Sequence, residues 1–338
     1  MRLSRCGLGI VLLAAAAAPE TTSAQNLLHL QPANRVRLAE GRQLAEGVCE
    51  RIWPGWGHTE FQVLLVGDSA EFLVDPARHP RDFAPLGHDP VLGAEVWTRP
   101  RQFPPNLLAT FPAVGGVPTV VIGSAERTGK SSTTWVLTLL HEHFHQWQTS
   151  RPDYNAGVAR LGLTRGDTTG QWMLNYPFPY DSLPVQRAMR RLATALARAL
   201  DARPEARNAA IQEVSEDRAA LRALLAADDY RYFEFQLWQE GGARYTEYAV
   251  ARAAAEAREP SADFRRLPDY LPYREAADTA LRDLRRQLEQ LDLSQKRRVA
   301  FYPIGAAWAL LLDETRGDWK RAYIEHPFEL PDLASTSR

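Results

Sequence analysis

His141-Glu142-His143-Phe144-His145 sets two imidazoles four residues apart with a carboxylate beside the first, an H-E-x-x-H pattern. On a helix, residues four apart stand one above the other on one face, so His141 and His145 aim at a single point. A zinc ion takes its first two ligands in this way. Glu142 reaches a water at the same point and is the candidate general base. His143 faces away from that pair, towards packing or an outer contact. The flanks predict a helix over 131–148. Ser131, Ser132 and Thr133 offer capping hydroxyls, and Trp135, Val136, Leu139 and Leu140 form an apolar face for burial.

Composition narrows the setting. The net charge is −1 and the basic residues are dispersed, which gives no footprint for a nucleic acid. Residues 1–5 are short and basic, 7–18 are apolar, and Thr22-Ser23-Ala24 are small residues ahead of Gln25. This is the layout of a secretory signal peptide, cleaved after Ala24, with an uncleaved anchor as the alternative. The expected location is therefore secreted or periplasmic. No later stretch is long and apolar enough to cross a bilayer, so no stable membrane span is expected in the mature chain. Of the two cysteines, only Cys49 would remain after cleavage. That leaves no internal disulfide, and stability must come from a packed core or a metal.

The elements that must position the histidines divide in two. Residues 25–130 read as a β-rich N-terminal lobe. They open with a helix around 36–45, and a hairpin follows, with Phe61–Val66 and Phe72–Val74 flanking Gly67-Asp68-Ser69. A further strand is expected at Glu95-Val96-Trp97. The Pro- and Gly-rich stretch 76–118 reads mostly as loop. Thr119-Val120-Val121-Ile122 then forms a short strand, either a cleft wall whose free edge pairs with substrate backbone or an ordinary core strand. Residues 131–338 read as helical. Their irregular stretch 149–183 holds Trp172, Tyr176, Phe178 and Tyr180, placed to line a pocket or to pack the lobes together. Clear helices follow at 184–201, with proline in the first turn, and at 204–227.

Two later segments carry a family resemblance. Glu240-Gly241-Gly242-Ala243-Arg244-Tyr245-Thr246-Glu247 matches the form E-G-x-A-x-Y-x-E, and Tyr302-Pro303-Ile304-Gly305 matches Y-x-x-G. With the upstream H-E-x-x-H, the chain resembles the gluzincin metallopeptidases, in particular their aminopeptidase N-like and glycyl aminopeptidase branches. The resemblance implies that Glu240 is the third zinc ligand. Two neutral imidazoles and one carboxylate then leave a fourth position open for water. Glu247 lies seven residues on, two helical turns, and is placed to orient a ligand histidine or to face solvent. Gly241 and Gly242, poor helix residues, suggest close packing by another backbone near the metal. In the family the tyrosine of Y-x-x-G donates to the oxyanion of the reaction. Tyr302 is thus either that donor or a core tyrosine at a helix start. The chain departs from the aminopeptidase N-like branch upstream of the metal helix. Where that branch has G-x-M-E-N, this chain has Val121-Ile122-Gly123-Ser124-Ala125-Glu126-Arg127. Glu126 is the candidate for a related job.

The expected fold is α+β, a zincin-like catalytic domain with a β-containing N-terminal lobe, a mainly helical C-terminal lobe and one Zn2+ between them. The expected function is hydrolysis of a peptide or protein substrate. His141, His145 and Glu240 hold the metal, Glu142 and Tyr302 are catalytic, and Glu247 supports a ligand. The alternative is a catalytically inactive, zinc-stabilised binding protein of the cell envelope.

Overall fold

Six strands and a set of helices build around the H-E-x-x-H helix in the computed structural model, which describes residues 29–333. The signal-like segment 1–24 lies outside those residues. The strands are β1 Val63–Val66, β2 Ala70–Val74, β3 Ala84–Asp89, β4 Ala94–Pro100, β5 Leu108–Val114 and β6 Val117–Gly123. They form one mixed sheet in the order β3-β4-β2-β1-β6-β5, in which only the β1–β6 pair is parallel. The fold is α+β.

The central strands are short apolar runs because both faces of the sheet are covered. Successive side chains alternate between the faces. Leu64, Val66, Leu73 and Val121 pack on one side with Phe83 and Val114. Val63, Leu65, Phe72, Val74, Val120 and Ile122 point to the other side, into the main core. The expected hairpin β1–β2 is present, with Val63 opposite Val74, and Gly67 N–H donates to the Ala70 carbonyl at 2.9 Å across its turn.

One expectation is corrected here, and one open alternative is decided. The stretch 76–118 is not mostly loop, since it supplies β3, β4 and β5. β3 and β5 contain Pro85 and Pro112 and have register shifts beside them, which hides their strand pattern. Both are the outer strands of the sheet, where a proline costs no ladder hydrogen bond. Second, the strand around Thr119–Ile122 has no free edge. β6 pairs with β1 on one side and β5 on the other, and the edge beside the H-E-x-x-H helix belongs to β5.

The principal helices are α1 Pro32–Leu44, α2 Ser132–Thr149, α3 Tyr154–Leu161, α4 Leu183–Asp201, α5 Pro204–Leu224, α6 Ala227–Gln236, α7 Gly242–Ala257, α8 Tyr273–Glu289, α9 Phe301–Thr315 and α10 Trp319–Glu325. α2 carries His141 and His145. Its N-cap is Ser131, whose Oγ accepts the Thr134 N–H at 3.3 Å. The helix is buried on nearly every side, wedged between the sheet and α7. Its polar side chains pin it to the sheet. Trp135 Nε1–H donates to the Gly123 carbonyl at 2.7 Å, and Gln146 Nε2–H to those of Gln62 and Pro118 at 2.9 and 2.8 Å.

One aromatic cluster ties the strand-bearing and helical parts. Trp53, fully buried, contacts Phe144 and Trp147 on α2, Tyr245 on α7, and Trp319 and Tyr323 on α10. Its indole N–H donates to Thr246 Oγ1 at 2.9 Å. Tyr176, Phe178 and Tyr180 form a second cluster with Tyr232 and Phe301, so the aromatic segment of 149–183 packs within the helical part. Cys49 is free and buried, and burial pushes its thiol pKa up, as for an inert packing residue. No helix among the described residues is long and apolar enough to cross a membrane.

Two motif glycines, Gly241 and Gly305, meet at a close helix crossing. A Cβ on Gly241 would lie 2.5 Å from Gly305 Cα, and one on Gly305 would lie 2.6 Å from Gly241 Cα and 2.7 Å from the Leu237 carbonyl oxygen. This is the backbone approach that the paired glycines suggested. Gly242 makes a separate contact, with the Tyr323 side chain. In an open helix Gly→Ala stabilises by about 1 kcal/mol. Here the added methyl has no space, so Gly305→Ala should lower the melting temperature, by the equivalent of about 1–3 kcal/mol. An unchanged or raised Tm would show that the crossing is looser than described.

Candidate metal centre

The site forms where α2 meets the join between α6 and α7. That join is a π-helical turn, Leu237–Gly241, inside an otherwise continuous helical run over 227–257. The wider turn places Glu240 towards α2, and such turns recur at functional positions. His141 and His145 stand edge to face, with their Nε2 atoms 3.2 Å apart. Glu240 Oε2 lies 3.8 Å from His141 Nε2 and 3.6 Å from His145 Nε2. With zinc bonds of about 2.0–2.1 Å, the edge of a coordination tetrahedron is roughly 3.3 Å, so these donor separations fit one ion. Among the described residues, these three side chains form the cluster able to share a metal.

Each donor is aimed by a neighbour. His141 Nδ1 is 2.7 Å from Glu247 Oε1, and the other oxygen of Glu247 accepts from Arg244 Nη1 at 2.8 Å. A carboxylate on Nδ1–H leaves the Nε2 lone pair free for a metal. His145 Nδ1 is 2.7 Å from Gln148 Oε1. The Gln148 amide nitrogen faces the Trp238 and Gln239 carbonyls and the Tyr323 hydroxyl, which turns its oxygen towards the imidazole. Glu240 Oε1 accepts from Arg298 Nη1 at 2.9 Å, and the same nitrogen donates to the Tyr302 hydroxyl at 2.6 Å.

The charges are balanced at close range. Burial works against the Glu240 carboxylate, but the two imidazoles and Arg298 outweigh it and hold its pKa well below the ordinary value. Burial likewise opposes ionisation of Glu247, yet Arg244 and His141 bring it down to about 2. For His141 burial favours the neutral ring, and the Glu240 and Glu247 carboxylates reverse this and raise its pKa to about 10. Without a metal the imidazole therefore holds a proton between two carboxylates. A metal must displace that proton, and metal affinity falls with falling pH. Burial, followed by the charge of Glu240, raises the Tyr302 pKa well above the usual phenol value, so its hydroxyl stays protonated.

Glu142 lies beside the donors and belongs to no ligand pair. The Thr110 hydroxyl on β5 is 2.9 Å from its Oε2 and 2.8 Å from its backbone carbonyl, within donating distance of either. His143 is on the far side of α2, stacked on Phe61 at 4.0 Å and bonded through Nδ1 to Gln146. Burial lowers its pKa to about 4, so it is a neutral packing residue. Glu126 is taken up by Arg37 at 2.8 Å.

The structure thus brings His141, Glu142, His145, Glu240, Glu247 and Tyr302 to one place. Sequence reasoning missed Gln148, Arg244, Arg298 and Thr110. Gln148 and Arg244 each sit three residues from a motif residue, His145 and Glu247, and Arg298 sits one turn before Tyr302, so helical spacing carried a signal for them. Thr110 carried none, because its strand read as loop. Comparison with protein-family models, with curated proteins and with solved structures returned no match to this chain.

Two predictions follow from these contacts. Glu247→Gln should weaken zinc affinity about 10–100-fold, read by competition with a chromophoric chelator. An unchanged affinity would mean Glu247 does not orient His141. For His143, the folded pKa near 4 lies below the ordinary 6.5. The unfolded chain therefore takes up a proton that the folded chain refuses between these values, and stability is lost as pH falls from 6.5 to 4. His143→Phe should lose less stability over that window than the unaltered protein, by up to ~3 kcal/mol in denaturant titrations. Equal losses would show that His143 is not held neutral.

Proposed function

We propose that the protein is a zinc-dependent peptidase of the gluzincin type with a zincin-like catalytic domain. One observation carries the reading. Three donor atoms from two segments far apart in the chain converge at metal-ligand separations, and Glu142, next to His141 in the chain and close enough for its charge to act on that ring, is not one of them. A structural zinc site has no use for a carboxylate in that place.

His141, His145 and Glu240 would hold the ion, with Glu247 and Gln148 fixing the two rings. A zinc ion there supplies a Lewis acid and brings a coordinated water's pKa towards neutrality. Glu142 accepts the proton of the attacking water and delivers it to the leaving amine. Thr110 donates to the same carboxylate and holds it in place. Tyr302, whose oxygen accepts from Arg298, keeps its own proton for the carbonyl oxygen as negative charge develops there. The free edge of β5 runs beside Glu142 and is placed to pair with an extended peptide. A peptide or protein is thus the expected substrate. The signal-like N terminus favours a secreted or periplasmic setting.

The test is zinc content by mass spectrometry together with peptide-library cleavage, with and without a chelator. The unaltered protein should bind one zinc and lose cleavage on chelation. Glu142→Gln should keep the zinc and lose turnover by at least ~100-fold, and Tyr302→Phe should lower kcat with zinc retained. A fully active Glu142→Gln protein would refute the mechanism. Zinc binding without cleavage of any peptide would point instead to an inactive, zinc-stabilised binding protein.

A further inference from the structure

Arg298 was not selected by any motif, yet it touches both Glu240 and Tyr302. It lies on the 3-10 turn Arg297–Ala300 that leads into α9. The turn is anchored by Arg297, which reaches Asp181 at 3.0 Å and stacks over Tyr180 at 4.6 Å. A guanidinium has five N–H donors. The two on Arg298 Nη1 go to Glu240 Oε1 and the Tyr302 hydroxyl. Nε and Nη2 have no acceptor among the described residues, and neither is a sealed polar atom. The side chain keeps 20% of its surface exposed, more than Glu240, His141 or His145. The Nε–Nη2 edge is therefore open to solvent, and it has the parallel pair of donors that matches a carboxylate.

Charge and reach agree with this. Around the donors, Glu142, Glu240 and Glu247 face Arg244 and Arg298. With the imidazoles neutral, as a metal requires, these side chains carry one excess negative charge, and a bound divalent cation would leave one excess positive charge. Such a site attracts an anion. Arg298 is one carboxylate away from the ligand nitrogens, because Glu240 bridges them. Arg298 Nη1 is 2.9 Å from one Glu240 oxygen and His145 Nε2 is 3.6 Å from the other, a path that two to three extended residues of about 3.5 Å each cover.

We infer that Arg298 is the specificity-determining residue of the site: its open guanidinium edge binds a carboxylate of the substrate within about three residues of the scissile bond. The carboxylate is a peptide C-terminus or an acidic side chain, and the experiment separates the two. The inference rests on the peptidase reading but is tested by binding. Zinc-loaded Glu142→Gln protein is titrated with N-acetyl-tetraalanine as free acid, with its C-terminal amide, and with amides carrying one aspartate. Calorimetry gives Kd. The free acid, or one aspartyl amide, should bind about tenfold or more tightly than the plain amide. Adding Arg298→Gln should abolish that preference in protein loaded to one zinc per chain. Arg298→Lys, which keeps the charge without the fork, should reduce it and serves if the glutamine variant does not fold. Equal affinity for acid and amides, or a preference that survives both substitutions, overturns the inference. Cleavage by the unaltered protein is scored separately. Cleavage without carboxylate preference sinks this inference alone, and preference without cleavage sinks the peptidase reading alone.

Discussion

Gly241 and Gly305 pass each other with no room for a methyl group between them, and the candidate centre depends on that crossing. Gly241 follows Glu240 directly, and Gly305 is three residues beyond Tyr302. Bringing these backbones together places a carboxylate from the π turn and a phenol from the start of α9 at the same point. Arg298, bonded to both, holds them in one relation. A side chain at either glycine would separate the helices and draw Glu240 away from the α2 imidazoles.

The second constraint is electrostatic. Several charged groups sit together at low exposure, and a buried charge without a partner costs several kcal/mol. Glu247 is paired with Arg244 and His141 and Glu240 with Arg298 and the imidazoles, while Glu142 has the Thr110 hydroxyl. The network is closed except at the open edge of Arg298 and at the point where the three donors meet. A site balanced in this way with a proton on His141 is also one in which a metal must compete with that proton.

Rigidity for the centre comes from what surrounds α2. The helix is buried against a six-stranded sheet on one side and α7 on the other, and Trp53 joins it to α7 and α10 through five aromatic partners. A buried aromatic of this kind removes roughly 150–250 Å² from water, several kcal/mol at about 25 cal/mol per Å². The donors therefore sit on packed elements, with loops confined to the periphery. The mobile geometry a loop would give is a poor match to a metal's narrow range of donor distances.

Helical spacing alone made His141 and His145 legible as one face with Glu142 beside the first, and the apolar flanks marked α2 as a buried helix. The E-G-G-A-R-Y-T-E and Y-P-I-G segments pointed to Glu240, Glu247 and Tyr302, and the glycines in them announced a close backbone approach. The hairpin β1–β2 and the helices near 184–201 and 204–227 were readable for the same reason, since local period and turn chemistry set them. β3 and β5 were not, because edge strands tolerate prolines that erase the pattern. Strand order was also beyond the sequence. Thr119–Ile122 reads the same whether it is central or at an edge, and only the pairing of β5 beside it moved the free edge. Which partner each charged side chain takes is likewise a long-range matter. Arg298 meets Glu240 and Thr110 meets Glu142 only after the chain has folded, because residues distant in sequence become neighbours through packing that no local spacing encodes.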